Sequence, residues 1–151
     1  METTFKIWET NRNIYAAFLE KYSLEQLNAI PMGFSNNLVW NLGHIIVIQQ
    51  ALVYRLSGLP MYISDALFET YRNGSKPTGI STQLEVDELK NLLFSLLEKT
   101  KEDYAAGKFV HYKEYTTGTG FHLTSSKEAI EFNNYHEAMH LGFMMNIRKF
   151  I

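Results

Sequence analysis

Residues 36–56 read NNLVWNLGHIIVIQQALVYRL, and the reading of this stretch decides the fold. Its ends carry helix signals: Ser35 or Asn36 can cap the start, and Ser57-Gly58-Leu59-Pro60 closes it. Leu38, Leu42, Ile45 and Leu52 fall on one side of such a helix, while Trp40, His44, Val47, Ile48 and Ala51 fall on others. A helix that is apolar nearly all round has to be covered on every side, so this segment is expected at the centre of a helical protein. Residues 35–54 also lack formal charge and are nominally long enough to span a bilayer. Asn36, Asn37, Asn41, His44, Gln49 and Gln50 interrupt them, which favours a buried helix and no membrane insertion.

Three further helical segments flank this one. Residues 4–29 place Phe5, Trp8, Tyr15, Phe18, Leu19 and Tyr22 at helical spacings, leaving Arg12, Glu20 and Lys21 for solvent. A break is expected near Ser23, where Ser23-Leu24-Glu25-Gln26 has capping-box spacing before Pro31 and Gly33. Residues 82–106 start with Thr82 and Glu85 in the same spacing, bury Leu89, Leu92, Leu93, Leu96 and Leu97, and stop before Gly107. Ser125 and Glu128 open the last segment, which runs to residue 150 with Ile130, Phe132, Phe143, Met144 and Ile147 as its apolar face. Met139, Met144 and Met145 read as core material on that helix.

The connections are long. Residues 58–81 hold a short helical stretch at 64–71, and residues 108–124 form an irregular segment or small hairpin around Thr117-Gly118-Thr119-Gly120. The expected fold is all-α, a four-helix bundle with long connections and a short hairpin-like segment before the last helix. The 151 residues are expected to form a single domain, 1–151.

Composition narrows the function. Hydrophobic residues make up 46% of the chain and charged residues 20%, the balance of a folded protein. A net charge of −2 without a basic cluster gives nucleic-acid binding little electrostatic support. The start METTFKIWETNRNIY lacks the pattern of a secretory signal, so a cytoplasmic location is expected. The absence of cysteine leaves histidine and carboxylate to hold any transition metal and excludes a cysteine nucleophile.

The last helix carries His136-Glu137-Ala138-Met139-His140, a match to the H-E-x-x-H zinc-helix pattern. Residues four apart on a helix differ by about 40° around the axis and about 6 Å along it, so both imidazoles can reach one cation. Glu137 occupies the place of the general base in that pattern. The downstream third ligand of the zinc proteases is missing: position 146 is Asn146, and residues 141–151 contain no carboxylate. The third ligand is therefore expected upstream, and His44 in the central helix is the obvious donor, with Gly43 beside it permitting close helix approach. His111 and His122 lie in the irregular segment and are poorer candidates. Trp40 and Asn41, one turn before His44, can line the site, although core packing is the commoner role for a tryptophan. Tyr112, Tyr115 and His122 read either as a pocket wall or as a simple covering loop.

Asn36-Asn37-Leu38-Val39-Trp40-Asn41-Leu42-Gly43-His44-Ile45, the loop Tyr71-Arg72-Asn73-Gly74-Ser75-Lys76-Pro77, and His136-Glu137-Ala138-Met139-His140-Leu141-Gly142 occur in an order and spacing that resemble the DinB-like (DinB/YfiT-type) four-helix-bundle proteins. The resemblance covers nearly the whole chain. It implies a divalent transition metal, zinc or nickel with iron as an alternative, held by one histidine of the second long helix and two of the fourth. That pattern maps onto His44, His136 and His140, with an open coordination position. It further implies a homodimer and, in some relatives, transfer of a low-molecular-weight thiol to an electrophile. Two other readings stay open: a hydrolase using metal-bound hydroxide with Glu137 as base, and a non-catalytic, stress-associated metal-binding dimer.

Overall fold

A computed structural model describes all residues 1–151. Six α-helices and one two-stranded sheet follow in the order α1 (Glu2–Lys21), α2 (Leu24–Asn28), α3 (Leu38–Val53), α4 (Asp65–Tyr71), α5 (Gln83–Ala105), β1 (Tyr115–Thr116), β2 (His122–Leu123) and α6 (Ser126–Ile147). A 3₁₀ turn at Arg55–Ser57 follows α3. The architecture is the expected all-α bundle. The four long helices close a ring in which α1 and α3 each pack against both α5 and α6. No helix is long and apolar enough to cross a membrane.

The caps explain most boundaries. Ser23 with Gln26 and Thr82 with Glu85 each form both hydrogen bonds of a capping box, starting α2 and α5. The cap of α3 is Asn37, whose Oδ1 accepts from the Trp40 amide at 2.8 Å, one or two residues later than the sequence suggests. The segment also ends earlier than residue 56, because the chain tightens into the 3₁₀ turn and reverses at Gly58 with φ +71°. At α6, Ser125 Oγ accepts from the Glu128 amide, while the Glu128 carboxylate takes the amide and hydroxyl of Thr124.

The central helix is as buried as its composition demands, with only Ile48 and Ala51 of Leu38–Val53 escaping full burial. Tyr15, Phe18, Leu89, Leu93, Met144 and Ile147 pack around it, with its own Leu42 and Ile45, in the larger core cluster. A second cluster joins Trp8 of α1 to Leu52, Leu97, Leu123 and Ile130. Of the three methionines on α6, only Met144 is core; Met145 is exposed and Met139 half-buried. Phe143, expected on the apolar face, is exposed.

The clearest departure concerns Arg12, which is fully buried against α6 and not solvated. Its position is i+4 from Trp8 and three before Tyr15, so it lies on the same buried stripe of α1. The hairpin expected in residues 108–124 is present as an antiparallel pair, Tyr115 opposite Leu123 and Thr116 opposite His122. Gly120 turns it with φ +84°.

Candidate metal centre

Two helices that pack face to face supply three imidazoles. His44 comes from α3, and His136 and His140 from consecutive turns of α6. Their ring centroids are 5.3 Å apart for His44 and His136, 4.7 Å for His44 and His140, and 4.7 Å for His136 and His140. One nitrogen from each ring lies within 4.8 Å of the others, close enough for all three to hold one metal ion. His111 and His122 stay apart: both are exposed, and His122 contacts Glu114 and Thr116.

The hydrogen bonds around the rings select the tautomer that a metal needs. His44 Nδ1 lies 2.7 Å from the Tyr71 carbonyl oxygen, which can only accept, so Nδ1 carries the proton. His140 Nδ1 lies 2.8 Å from Asn41 Oδ1. The Asn41 amide is oriented by its Nδ2, which donates to Asn36 Oδ1 and to the Asn37 carbonyl, so Oδ1 is again an acceptor. In both rings Nε2 is left as the lone-pair nitrogen, the arrangement by which outer hydrogen bonds aim metal-bound histidines. His136 adds a buried Nδ1 with no hydrogen-bond partner. A set of neutral, buried, convergent nitrogens without protein donors fits a divalent transition metal.

Electrostatics point the same way. Burial lowers the pKa of His44, opposed by its Tyr71 contact. Burial lowers His136 well below the ordinary value, helped by His140, His44 and Arg12, and lowers His140 to about 3, helped by His44. Three imidazoles this close cannot share positive charge cheaply, so all are neutral at pH 7, which is the ligand form.

Local packing builds these contacts. Gly43 has no side chain because the Tyr71 ring of α4 occupies that space; an added Cβ would sit 2.4 Å from the ring. The close approach at Gly43 is thus made by Tyr71 and not by a neighbouring long helix, and it brings the Tyr71 carbonyl to His44. Trp40 stacks on His44 with centroids 4.6 Å apart and planes 14° from parallel, and its indole N–H donates to Ser75 Oγ at 3.0 Å. Core packing and support of the site are one role for this residue.

Glu137 lies elsewhere. A helix turns about 100° per residue, and the Glu137 carboxylate is directed to α1, where Arg12 Nη2 donates to Oε1 at 2.6 Å; Asn133 Nδ2 donates to the same oxygen at 2.8 Å. Tyr15 Oη donates to the Glu137 carbonyl. The carboxylate is fully buried and takes no part in lining the space beside the histidines.

That space is a cavity of about 450 Å³ walled by His44, His136 and His140 together with Ile48, Leu52, Phe68, Phe132 and Met139. Tyr115, Thr117, Gly118 and Thr119 of the hairpin cover part of it, whereas Tyr112 packs on the second core cluster and His122 is exposed, so of the three residues considered for a wall only Tyr115 is one. Arg55, Arg72 and Asn73 complete the lining. Sequence alone assigns Arg55 and Asn133 no role, places Arg72 and Asn73 only within the family-like loop, and leaves Arg12 to solvent. Only Arg12 had a usable signal, its helical spacing with Trp8 and Tyr15.

No curated protein matches the chain. The model of the DinB superfamily matches residues 7–144, which takes in all three histidines, and the chain belongs to the DinB superfamily.

Proposed function

We propose that the chain is a divalent-metal-dependent enzyme that transfers a small thiol to an electrophilic substrate. The observation that carries this reading is the cavity of about 450 Å³ whose wall includes all three histidines, a volume within the usual range of small-molecule sites. A purely structural ion would need no such space beside it.

His44, His136 and His140 would hold zinc or nickel, with iron as an alternative that imidazole also suits. Bound there, such an ion supplies the positive charge that keeps a thiol deprotonated at neutral pH. Tyr71 and Asn41 hold the His44 and His140 rings in the required tautomer, and Trp40 holds the plane of His44. Ile48, Leu52, Phe68 and Phe132 give the reacting sulfur an apolar flank, which favours its nucleophilicity. The thiol proton passes to solvent, a sulfur–carbon bond forms, and the leaving group departs with its electron pair.

Glu137 serves this reading as a positioning residue. Its pairing with Arg12 pins α6 to α1 next to His136. A carboxylate so engaged is poorly placed to shuttle a proton in the cavity, which weakens the hydrolase alternative. The homodimer rests on the family resemblance alone, and light scattering at micromolar concentration tests it.

The test of the thiol reading uses the cobalt-substituted protein, whose absorption reports sulfur coordination. Addition of a small thiol is expected to produce a new sulfur-to-metal charge-transfer band that His140→Ala lacks. An unchanged spectrum across several thiols would contradict the reading.

A further inference from the structure

The cavity beside the histidines carries charge of one sign only. Arg55 and Arg72 line it, and no aspartate or glutamate does. The two cations differ in how freely they can act. Arg72 Nε donates to Glu69 Oε2 at 2.6 Å and its Nη1 to the Asn73 carbonyl at 3.2 Å, so part of its fork and charge is already used. Arg55 has no carboxylate or carbonyl partner among the hydrogen bonds and ion pairs of the chain. Its guanidinium lies over the Phe68 ring, 3.9 Å from the centroid, and Phe68 is itself buried and part of the cavity wall.

That stacking has a chemical consequence. A guanidinium resting on an aromatic face is held through its plane, while its N–H groups point outward in that plane. Those N–H groups form the fork that matches a carboxylate or phosphate with two parallel hydrogen bonds. Phe68 therefore prepares Arg55 for such an anion and reduces the side-chain ordering needed on binding. Another part of the wall, Ile48, Leu52 and Phe132, is apolar and suits a hydrocarbon body.

We propose that the cavity selects an amphipathic anion, with Arg55 gripping its carboxylate or phosphate, Arg72 adding to the positive field, and the apolar wall covering its body. This names the substrate class of the same cavity and rests, for the end near the histidines, on the thiol reading above. Arg55 is then a specificity residue that acts at the far end of the substrate from the sulfur.

The test compares three thiols of equal length on the metal-loaded protein by calorimetry: ω-mercaptohexanoate, ω-mercaptohexanol and ω-aminohexanethiol. The anion is expected to bind about ten-fold or more tighter than the alcohol, as a charge-assisted pair allows, and the amine weakest. Arg55→Gln is expected to bring the anion within about three-fold of the alcohol, leaving the alcohol's affinity and the metal content unchanged; Arg72→Gln is expected to have the smaller effect. Equal affinity of the three thiols, or a preference that survives Arg55→Gln, overturns the proposal. If none of the thiols binds, the thiol reading fails alone. Ligand-observed NMR of hexanoate against hexanol on metal-free protein then decides: a carboxylate preference lost in Arg55→Gln sustains the anion site, and equal binding overturns it.

Discussion

His140 of α6 donates its Nδ1 proton to Asn41 Oδ1 of α3 at 2.8 Å, a bond between residues 99 apart in the chain. It ties together the two helices that carry the three clustered histidines and fixes which nitrogen of His140 is free. Asn41 cannot rotate to escape this role, because its own amide nitrogen is held by Asn36 and Asn37.

Replacing Asn41 with Ala is expected to weaken metal binding by about 10- to 100-fold, the usual effect of losing an outer hydrogen bond to a metal-bound histidine. Asn41→Asp keeps the acceptor oxygen and should retain most of the affinity. Competition with a chromophoric chelator measures both, and an unaltered Asn41→Ala affinity would sink this role.

Gly43→Ala is expected to destabilise the protein by roughly 1–3 kcal/mol, the typical cost of overpacking. The new Cβ would meet the Tyr71 ring at 2.4 Å, so Tyr71 has to move and its carbonyl leaves His44. Thermal unfolding reads the first effect and metal affinity the second. A variant as stable as the parent would show that the ring yields freely.

The Arg12–Glu137 pair is buried on both sides and only partly satisfied, since Arg12 Nε and Nη1 and Glu137 Oε2 have no partner. Removing either charge alone, as in Arg12→Met or Glu137→Gln, is expected to cost about 3–5 kcal/mol, because the other is left uncompensated. Arg12→Met with Glu137→Leu should cost less than either single change, as paired apolar replacements of buried ion pairs often do. Urea titrations of the three variants provide the cycle. Strictly additive losses would refute the coupling.

The metal-free protein is expected to lose stability as pH falls below about 6.5, the ordinary histidine value. His44, His136 and His140 have folded-state pKa values lowered mainly by burial, so the unfolded chain binds protons first. Stability is fully present above the unfolded value and declines as pH drops toward the folded ones, to about 3 for His140. His140→Gln should flatten that slope in urea titrations at pH 7 and 5; an equal slope would assign it to other groups.

The four long helices were legible because period and caps agreed over many residues, as at Thr82 with Glu85, where both capping-box bonds form. The His136–His140 pair was legible from its spacing, and His44 from being the remaining helical histidine. What escaped depends on tertiary placement. Arg12 shares a helical face with Trp8 and Tyr15, but its carboxylate partner Glu137 lies 125 residues on, and neither residue's pairing can be read until α1 is known to pack beside α6. Arg55 and Arg72 reach the cavity from a 3₁₀ turn and the end of α4, elements whose direction no periodicity encodes.

Metal content tests the three-histidine centre most directly. Purified protein, and its His44→Ala, His136→Ala and His140→Ala variants, should be loaded with zinc or nickel, desalted and analysed by mass spectrometry for metal per chain. The parent is expected to keep about one ion per chain and each variant to lose most of it, as three-ligand sites do when one ligand is removed. Parent-level metal in His44→Ala would contradict the centre, because it would leave α3 without a part in holding the ion.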